Sequence, residues 1–368
     1  MKKVLFLSKS EMFGGLEKVM VNIANELDKS KFSVTVITSK NNDEVRSKLN
    51  KDVKYDFLFK KRFRGLDRVL INFSPYMLHK IFIRKHYDIE IAFQEGYPTK
   101  LVLGANKKTK KLMWLHNDPY YYDFNLPFYK SKGNLKKNLE KFDKIIAVSN
   151  YIKRNYQNYI SLDNEIEVIY NYIDYEEILN KSREYLVNEN NKNEKFIICY
   201  VGRLSEEKQV DILIRTTISL YKKYPNIMLN IIGSGYQEKY LKELVYKNGA
   251  EQYIRFLGYK ENPYPYIINS SVLVCASKAE SFCMVIGEAI SLGIPVVSTK
   301  CGGPEEILDY GKYGIIVKNN INDLYKGIES ILVDKEKYNK YKNIDKSYFK
   351  RFEKSKIIEE IEYMLEEL

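Results

Sequence analysis

The stretch Ser277 to Glu306 reads SKAESFCMVIGEAISLGIPVVSTKCGGPEE, and its pattern decides the fold. An apolar run, Val272 to Cys275, leads into it and has the length of a buried strand. Glu280 follows in a short turn, then a helical run to about Leu292 that carries Glu288. A second apolar run, Pro295 to Ser298, reads as the next strand. It ends in Cys301-Gly302-Gly303-Pro304, and Glu305 and Glu306 open another helix. Continuous apolar strands alternating with helices imply a parallel sheet covered on both faces. At about 3.6 residues per turn, Glu280 and Glu288 do not share a helical stripe unless the first lies before the helix. The spacing therefore puts Glu280 in the loop and Glu288 on the helix. The N–H groups of Ser281, Phe282, Cys283 and Met284 then become helix-start donors at the mouth where strands end, a ready anion site.

Working outward, the same scheme fills the chain. Strands are expected at Val4–Leu7, Val34–Ile37, Ile89–Phe93, Leu112–Leu115, Ile145–Val148 and Val168–Tyr170, with helices such as Val19–Leu27 and Tyr151–Tyr159. A second series follows at Phe196–Val201, Met228–Ile232, Ile254–Leu257, Val272–Cys275, Pro295–Ser298 and Gly314–Val317. With 368 residues the chain exceeds one ordinary core, so the fold class is α/β with two doubly wound, Rossmann-like domains. The expected domains are 1–170 and 171–347, linked near Asn171 to Asp174. The helix expected over 348–368 is assigned to the first. Open parallel sheets bind ligands at the carboxyl ends of their strands, and a cleft between the domains is the economical place.

Residues 1–150 hold 30 Lys and Arg against 16 Asp and Glu, whereas the whole chain carries a net charge of +12. All the excess positive charge thus lies in the first half, which points to an anionic partner there. Four cysteines, Cys199, Cys275, Cys283 and Cys301, lack CxxC spacing and read as reduced thiols of a cytoplasmic protein. No apolar run reaches the roughly 18 residues of a membrane span, and Val4 to Leu7 is too short for a signal-peptide core. No His/Cys cluster, Asp-x-Asp pair, P-loop or nucleophile elbow is present, so no metal site is expected.

Several polar groups fall at strand ends. Gly202-Arg203-Leu204-Ser205-Glu206-Glu207-Lys208 places two cations in one loop, where Arg can fork onto a diphosphate and Lys adds a point charge. The alternative is a solvated loop. Ser10 to Glu17 (SEMFGGLE) brings Gly14 and Gly15, which permit close backbone approach or merely a turn. His116 ends a strand beside Asn117 and Asp118, a structural or a functional position, whereas His79 and His86 read as surface residues. Lys60 to Arg68 (KKRFRGLDR) is a basic cluster. Behind it, Ser74-Pro75 starts a helix with Met77, Leu78, Ile81 and Phe82 on one side. That helix either lies on an anionic membrane surface or packs on its own sheet.

Together these residues resemble the retaining glycosyltransferases of family four, which have the GT-B fold. The resemblance covers nearly the whole chain. Glu280 and Glu288 look like that family's paired glutamates, and Val201 to Lys208 like its Gly-Arg-Leu…Lys phosphate motif. Gly14-Gly15 is similar to its first glycine loop, and Tyr170-Asn171 to Asp174 to its interdomain stretch. Phe93-Gln94-Glu95-Gly96 with Trp114 to Asp118 looks like members that build bacterial surface polysaccharides. Ser281, where glycine is commoner, and Cys283 depart from the pattern and leave the donor open.

The resemblance implies roles. Gly202, Arg203 and Lys208 would hold the leaving diphosphate. Glu288 would bind the ribose and Glu280 the donor sugar, beside N–H groups of Phe282 to Met284. Gly233 and Gly258-Tyr259 would flank the base, and Gly15 would approach the phosphate. His116 would line the sugar site, with Glu95, Asn117 and Asp118 on the acceptor side. The expected partners are a nucleotide sugar, UDP before other bases, and a lipid-linked saccharide at an anionic membrane surface. No cofactor or nucleic acid is expected. A nucleotide-sugar epimerase of the same fold and a basic nucleic-acid-binding protein are the competing readings.

Overall fold

The computed structural model describes residues 1–9, 13–60, 70–185 and 195–368. Two all-parallel sheets carry the architecture. The first contains β1 (Lys2–Leu7), β2 (Phe32–Lys40), β3 (Lys54–Phe59), β4 (Ile89–Ala92), β5 (Lys110–Leu115), β6 (Lys144–Ala147) and β7 (Ile166–Val168). Their spatial order is 3-2-1-4-5-6-7. The second contains β8 (Phe196–Val201), β9 (Ile227–Ile232), β10 (Ile254–Gly258), β11 (Val272–Cys275), β12 (Val296–Thr299) and β13 (Ile315–Val317), in the order 10-9-8-11-12-13.

The cause is visible in the burial. Val4, Leu5, Phe6 and Leu7 of β1 are all fully buried, so no residue of that run needs to be polar. In the second sheet, helices Val210–Tyr221 and Ile321–Val333 press Leu213, Ile214, Leu324 and Ile328 into one core with Ile198, Leu229 and Val272. Each such side chain contributes roughly 1.5–3 kcal/mol by leaving water. Of the strands, β3 lies outside the expected set. Its sequence KYDFLF alternates, carries Lys54 and Asp56, and stands at a sheet edge, so it forms no apolar run.

Both strand orders reverse at their first strand, between β1 and β4 and between β8 and β11. The loops leaving two such strands diverge and open a crevice at the carboxyl edge. In the second sheet those two loops are Gly202–Lys208 and the Glu280 turn.

The chain divides into two compact units, Met1–Asn171 with Lys354–Leu368, and Tyr172–Glu353. The expectation of one helix over 348–368 needs correction. Lys346–Phe352 is a short 3-10 helix of the second unit, capped where the Ser347 N–H donates to Asp345 Oδ1 (2.7 Å). It buries Tyr348 and Phe352, the latter edge-on to Phe282. The helix proper is Lys354–Glu367. It packs on the first unit, where Lys2 Nζ donates to the Leu365 and Glu366 carbonyls (3.1 and 2.7 Å) and the Asp28 N–H to Glu362 (2.6 Å).

Candidate active site

The loop after β8 is shaped by close approach. The Tyr200 hydroxyl donates to the Arg203 carbonyl (2.8 Å), and a Cβ on Gly202 would lie 2.8 Å from that hydroxyl. A single turn, Glu206–Lys208, follows, and Gln209 (φ +48°) redirects the chain into the next helix. The turn brings Lys208 Nζ to 2.6 Å from Glu280 Oε1, with the two side chains 18% and 11% exposed. Burial opposes the charge on Lys208. The adjacent Glu280 carboxylate outweighs it and holds the ammonium above the usual lysine range.

Glu280 is pinned rather than loose. Its N–H donates to Cys301 O (2.7 Å), and its carbonyl accepts from the Gly303 N–H (2.8 Å). Ser277 Oγ donates to the same Oε1 that Lys208 holds (2.7 Å), while Thr299 Oγ1 fixes the Ser277 carbonyl (2.7 Å). Arg203 stands at the rim, its side chain 71% exposed, with Glu207 Oε1 at 3.7 Å. Glu207 is itself held by Ser205 Oγ (2.5 Å).

The helix begins at Met284, so Ser281 and Phe282 lie in the turn before it and not at its start, as the spacing had implied. Cys283 precedes it in the left-handed region (φ +73°). That conformation is costly for a non-glycine residue. Cys283 Sγ lies 3.9 Å from Cys275 Sγ. Hydrogen bonds from Cys283 and Cys301 hold the Cys275 thiol well below its usual range. Three of the four cysteines are thus grouped, Cys275, Cys283 and Cys301, and the ligating atoms of Cys275, Glu280 and Cys283 all lie within 4.8 Å of one another.

Glu288 sits one turn into the helix, 6% exposed, and accepts from the Tyr264 hydroxyl (3.0 Å). Of the four charged side chains expected to converge, Lys208 and Glu280 meet directly. Arg203 is one loop away, and Glu288 is held by Tyr264. Beside them, Gly202, Gly233 and Gly258 end β8, β9 and β10 as a shelf of bare backbone. A Cβ on Gly233 (φ +138°) would lie 1.9 Å from the Gly202 carbonyl, and the Gly233 N–H donates to Gly258 O (2.9 Å). Tyr259 stands exposed after it. Ser277 and Tyr264 were missed in the sequence. Ser277 stands three residues before Glu280, a turn-like spacing that offered a hint, and Tyr264 had no signal.

The first unit supplies its own polar cluster. Gly14 and Gly15 open the helix Gly15–Glu26, and a Cβ on Gly15 would meet nothing within 4 Å, so packing does not demand glycine there. Residues 10–12 of the SEMFGGLE stretch, and 61–68 of the basic cluster, lie outside the described residues. Glu95, fully buried, accepts from the N–H groups of His116 (2.7 Å) and Asn117 (2.8 Å) and from Asn117 Nδ2 (2.6 Å). Burial pushes its carboxyl up, against those hydrogen bonds. Glu95 therefore orders the loop after β5. Asp118 accepts from the Tyr151 hydroxyl and the Tyr120 N–H. His116 is 8% exposed, packs on Phe93, and its buried Nε2 has no hydrogen-bond partner among the described residues. Burial lowers its pKa to about 3, so the ring is neutral.

Two surface expectations change. His79 is not a surface residue: its Nε2 lies 2.9 Å from the buried Glu90. In the helix Pro75–Phe82, Leu78 turns inward while Tyr76, Met77 and Ile81 stay exposed (66, 49 and 50%). Among the described residues no helix is long and apolar enough to cross a membrane.

Comparison with known proteins fits this geometry. The model of glycosyltransferase family 4 matches residues 13–177, and that of glycosyl transferases group 1 matches residues 182–348. The chain is a glycosyltransferase of group 1 with the GT-B fold. It is 27% identical to an uncharacterized glycosyltransferase of Methanocaldococcus jannaschii, over 80% of this chain and 74% of that one. It is 31% identical to the N-acetylgalactosamine-N,N'-diacetylbacillosaminyl-diphospho-undecaprenol 4-alpha-N-acetylgalactosaminyltransferase of Campylobacter jejuni, over 57% and 56%. Among solved structures, Anabaena Alr3699/HepE in complex with UDP and glucose has a TM-score of 0.78 at 21% identity, covering 100% of both chains.

Proposed function

We propose that this enzyme moves a hexose or N-acetylhexosamine, with retention, from a UDP-sugar to a lipid-linked saccharide in bacterial surface-glycan synthesis. It would work without a metal, at the cytoplasmic face of the membrane. One observation carries the reading: Lys208 and Glu280 meet at 2.6 Å beside the glycine shelf, with the exposed guanidinium of Arg203 in the same loop. As the C1–O bond breaks, negative charge grows on the leaving diphosphate. Arg203 and Lys208 are fixed cations that stabilise it without reorganisation. Glu280 would orient the sugar hydroxyls and Glu288 the ribose. The acceptor hydroxyl would attack from the face the diphosphate leaves and pass its proton to a diphosphate oxygen, so no enzymic nucleophile is required. His116, neutral and with an open Nε2, is suited to accept or donate one hydrogen bond to a sugar hydroxyl.

The donor reading draws support from the UDP and glucose complex of the Anabaena protein, and the acceptor reading from the diphospho-undecaprenol named in the Campylobacter enzyme. The excess charge of residues 1–150, with exposed Tyr76, Met77 and Ile81, supports contact with anionic lipid. The test is incubation with α-configured UDP-sugars and lipid-linked acceptors, followed by NMR of the new linkage. An α product is expected. A β product removes retention, and isomerised donor without acceptor indicates an epimerase. Sedimentation with anionic against neutral vesicles tests the membrane clause.

A further inference from the structure

We propose that Cys275, Glu280 and Cys283 form a binding site for a thiophilic divalent cation of the zinc type, and that the bound ion switches the donor site off. The ligand geometry is already in place. The two sulfurs lie 3.9 Å apart. A tetrahedral ion with bonds of about 2.3 Å to each sulfur needs them roughly 3.8 Å apart. The third ligand atom, a Glu280 carboxylate oxygen, lies within 4.8 Å of both sulfurs. Among the described residues, both hydrogen bonds that Glu280 receives at its carboxylate fall on Oε1, from Lys208 and Ser277, so Oε2 remains for an ion. Ser277 Oγ also lies 3.6 Å from Cys275 Sγ, an outer partner that orients a first ligand. Two sulfurs and one oxygen favour zinc over magnesium or calcium.

Electrostatics permit it despite Lys208. Binding exchanges one dication for the two thiol protons. Two thiolates, the carboxylate, the ammonium and the ion then cancel in charge. Three protein ligands leave a fourth position open to water, unlike closed four-ligand structural sites. Cys283 and Glu280 are only partly buried, which gives the ion a path from solvent. An ion on Glu280 takes away the group assigned to the donor sugar. This last clause rests on the transferase reading above.

The experiment uses the whole chain, reduced with a phosphine, and titrates it with Co²⁺ as the spectroscopic stand-in for zinc. A thiolate-to-cobalt absorption band should appear, saturate at one equivalent and be bleached by Zn²⁺. Losing an outer-shell partner costs about 10–100-fold in affinity, so Cys275→Ser, which removes a direct ligand, should cost at least about a hundredfold. Cys283→Ser should do the same, and Cys301→Ser, which removes only an outer partner of Cys275, should cost clearly less than either. Affinity should rise by up to about a hundredfold per pH unit where both thiols are protonated. Absence of the band, or an equal loss in Cys301→Ser, overturns the site. In the transfer assay, Zn²⁺ should inhibit the wild type and a chelator restore it, while Cys275→Ser keeps its turnover and resists Zn²⁺. A cobalt band with uninhibited transfer overturns the switch. The band needs no sugar substrate, so it survives if the transferase reading fails.

Discussion

Replacing Arg203 with alanine separates catalysis from folding more cleanly than any other change at this site. Its side chain is 71% exposed and its ion pair is a single contact of 3.7 Å with Glu207. Exposed pairs of that kind contribute about 0–1 kcal/mol, so the melting temperature should move by no more than about 4 °C. In the transition state the same guanidinium would face a diphosphate gaining charge. Loss of one fixed donor of this kind costs about 2.7–4 kcal/mol, a factor of roughly 10²–10³ in turnover. The assay is kcat and KM with a UDP-sugar, alongside calorimetric melting. Arg203→Lys should recover only part of the rate, because an ammonium restores charge without the fork. Turnover unchanged in Arg203→Ala, or lost only in proportion to stability, would refute the assignment of the phosphate loop.

Lys208→Ala should behave differently. It leaves Glu280 largely buried with one hydroxyl partner, and stranding a buried charge costs about 3–5 kcal/mol, measurable by urea unfolding. A stability loss below about 1 kcal/mol would mean that the pair is not formed in solution. For His116, burial sets the folded pKa at about 3. The unfolded value is about 6.5, and between the two the unfolded chain binds a proton that the folded chain does not. Its contribution to stability is therefore complete above about pH 6.5 and is lost as the pH falls toward 3, by up to about 1.4 kcal/mol per unit. His116→Asn should flatten that part of the pH–stability profile, and an unaltered profile would remove the claim. Gly233→Ala should destabilise by at least about 1 kcal/mol, since its Cβ would stand 1.9 Å from the Gly202 carbonyl at a positive φ. A variant as stable as wild type would show that this strand end is not packed as described.

What the sequence revealed, and what it hid, follows from range. Strands buried on both faces announce themselves as runs, so β1, β8 and β11 were legible, while the alternating edge strand β3 was not. Lys208 and Glu280 were legible as types in loops, because each leaves the end of an apolar run. Their contact across 72 residues was beyond any local signal. The thiol cluster was hidden for the same reason: Cys275 ends a strand, Cys283 sits in a turn, and no spacing rule joins them. Tyr264 holds Glu288 from the start of a separate short helix, Tyr264–Ile268, and left no trace in the pattern. The helix expected from residue 348 failed because aromatic burial in the second unit holds Tyr348 and Phe352 and stops the chain at Glu353.

The return of Lys354–Leu368 to the first unit imposes an order on biosynthesis. Domains commonly mature in the order in which the ribosome emits them. Here the helix Lys354–Glu367, which packs on the earlier unit, is made only after all strands of the later unit's sheet. A chain stalled before Lys354 or clipped there would therefore carry a finished second unit and a first unit with the Lys2 ammonium and the Asp28 amide left without their helix contacts.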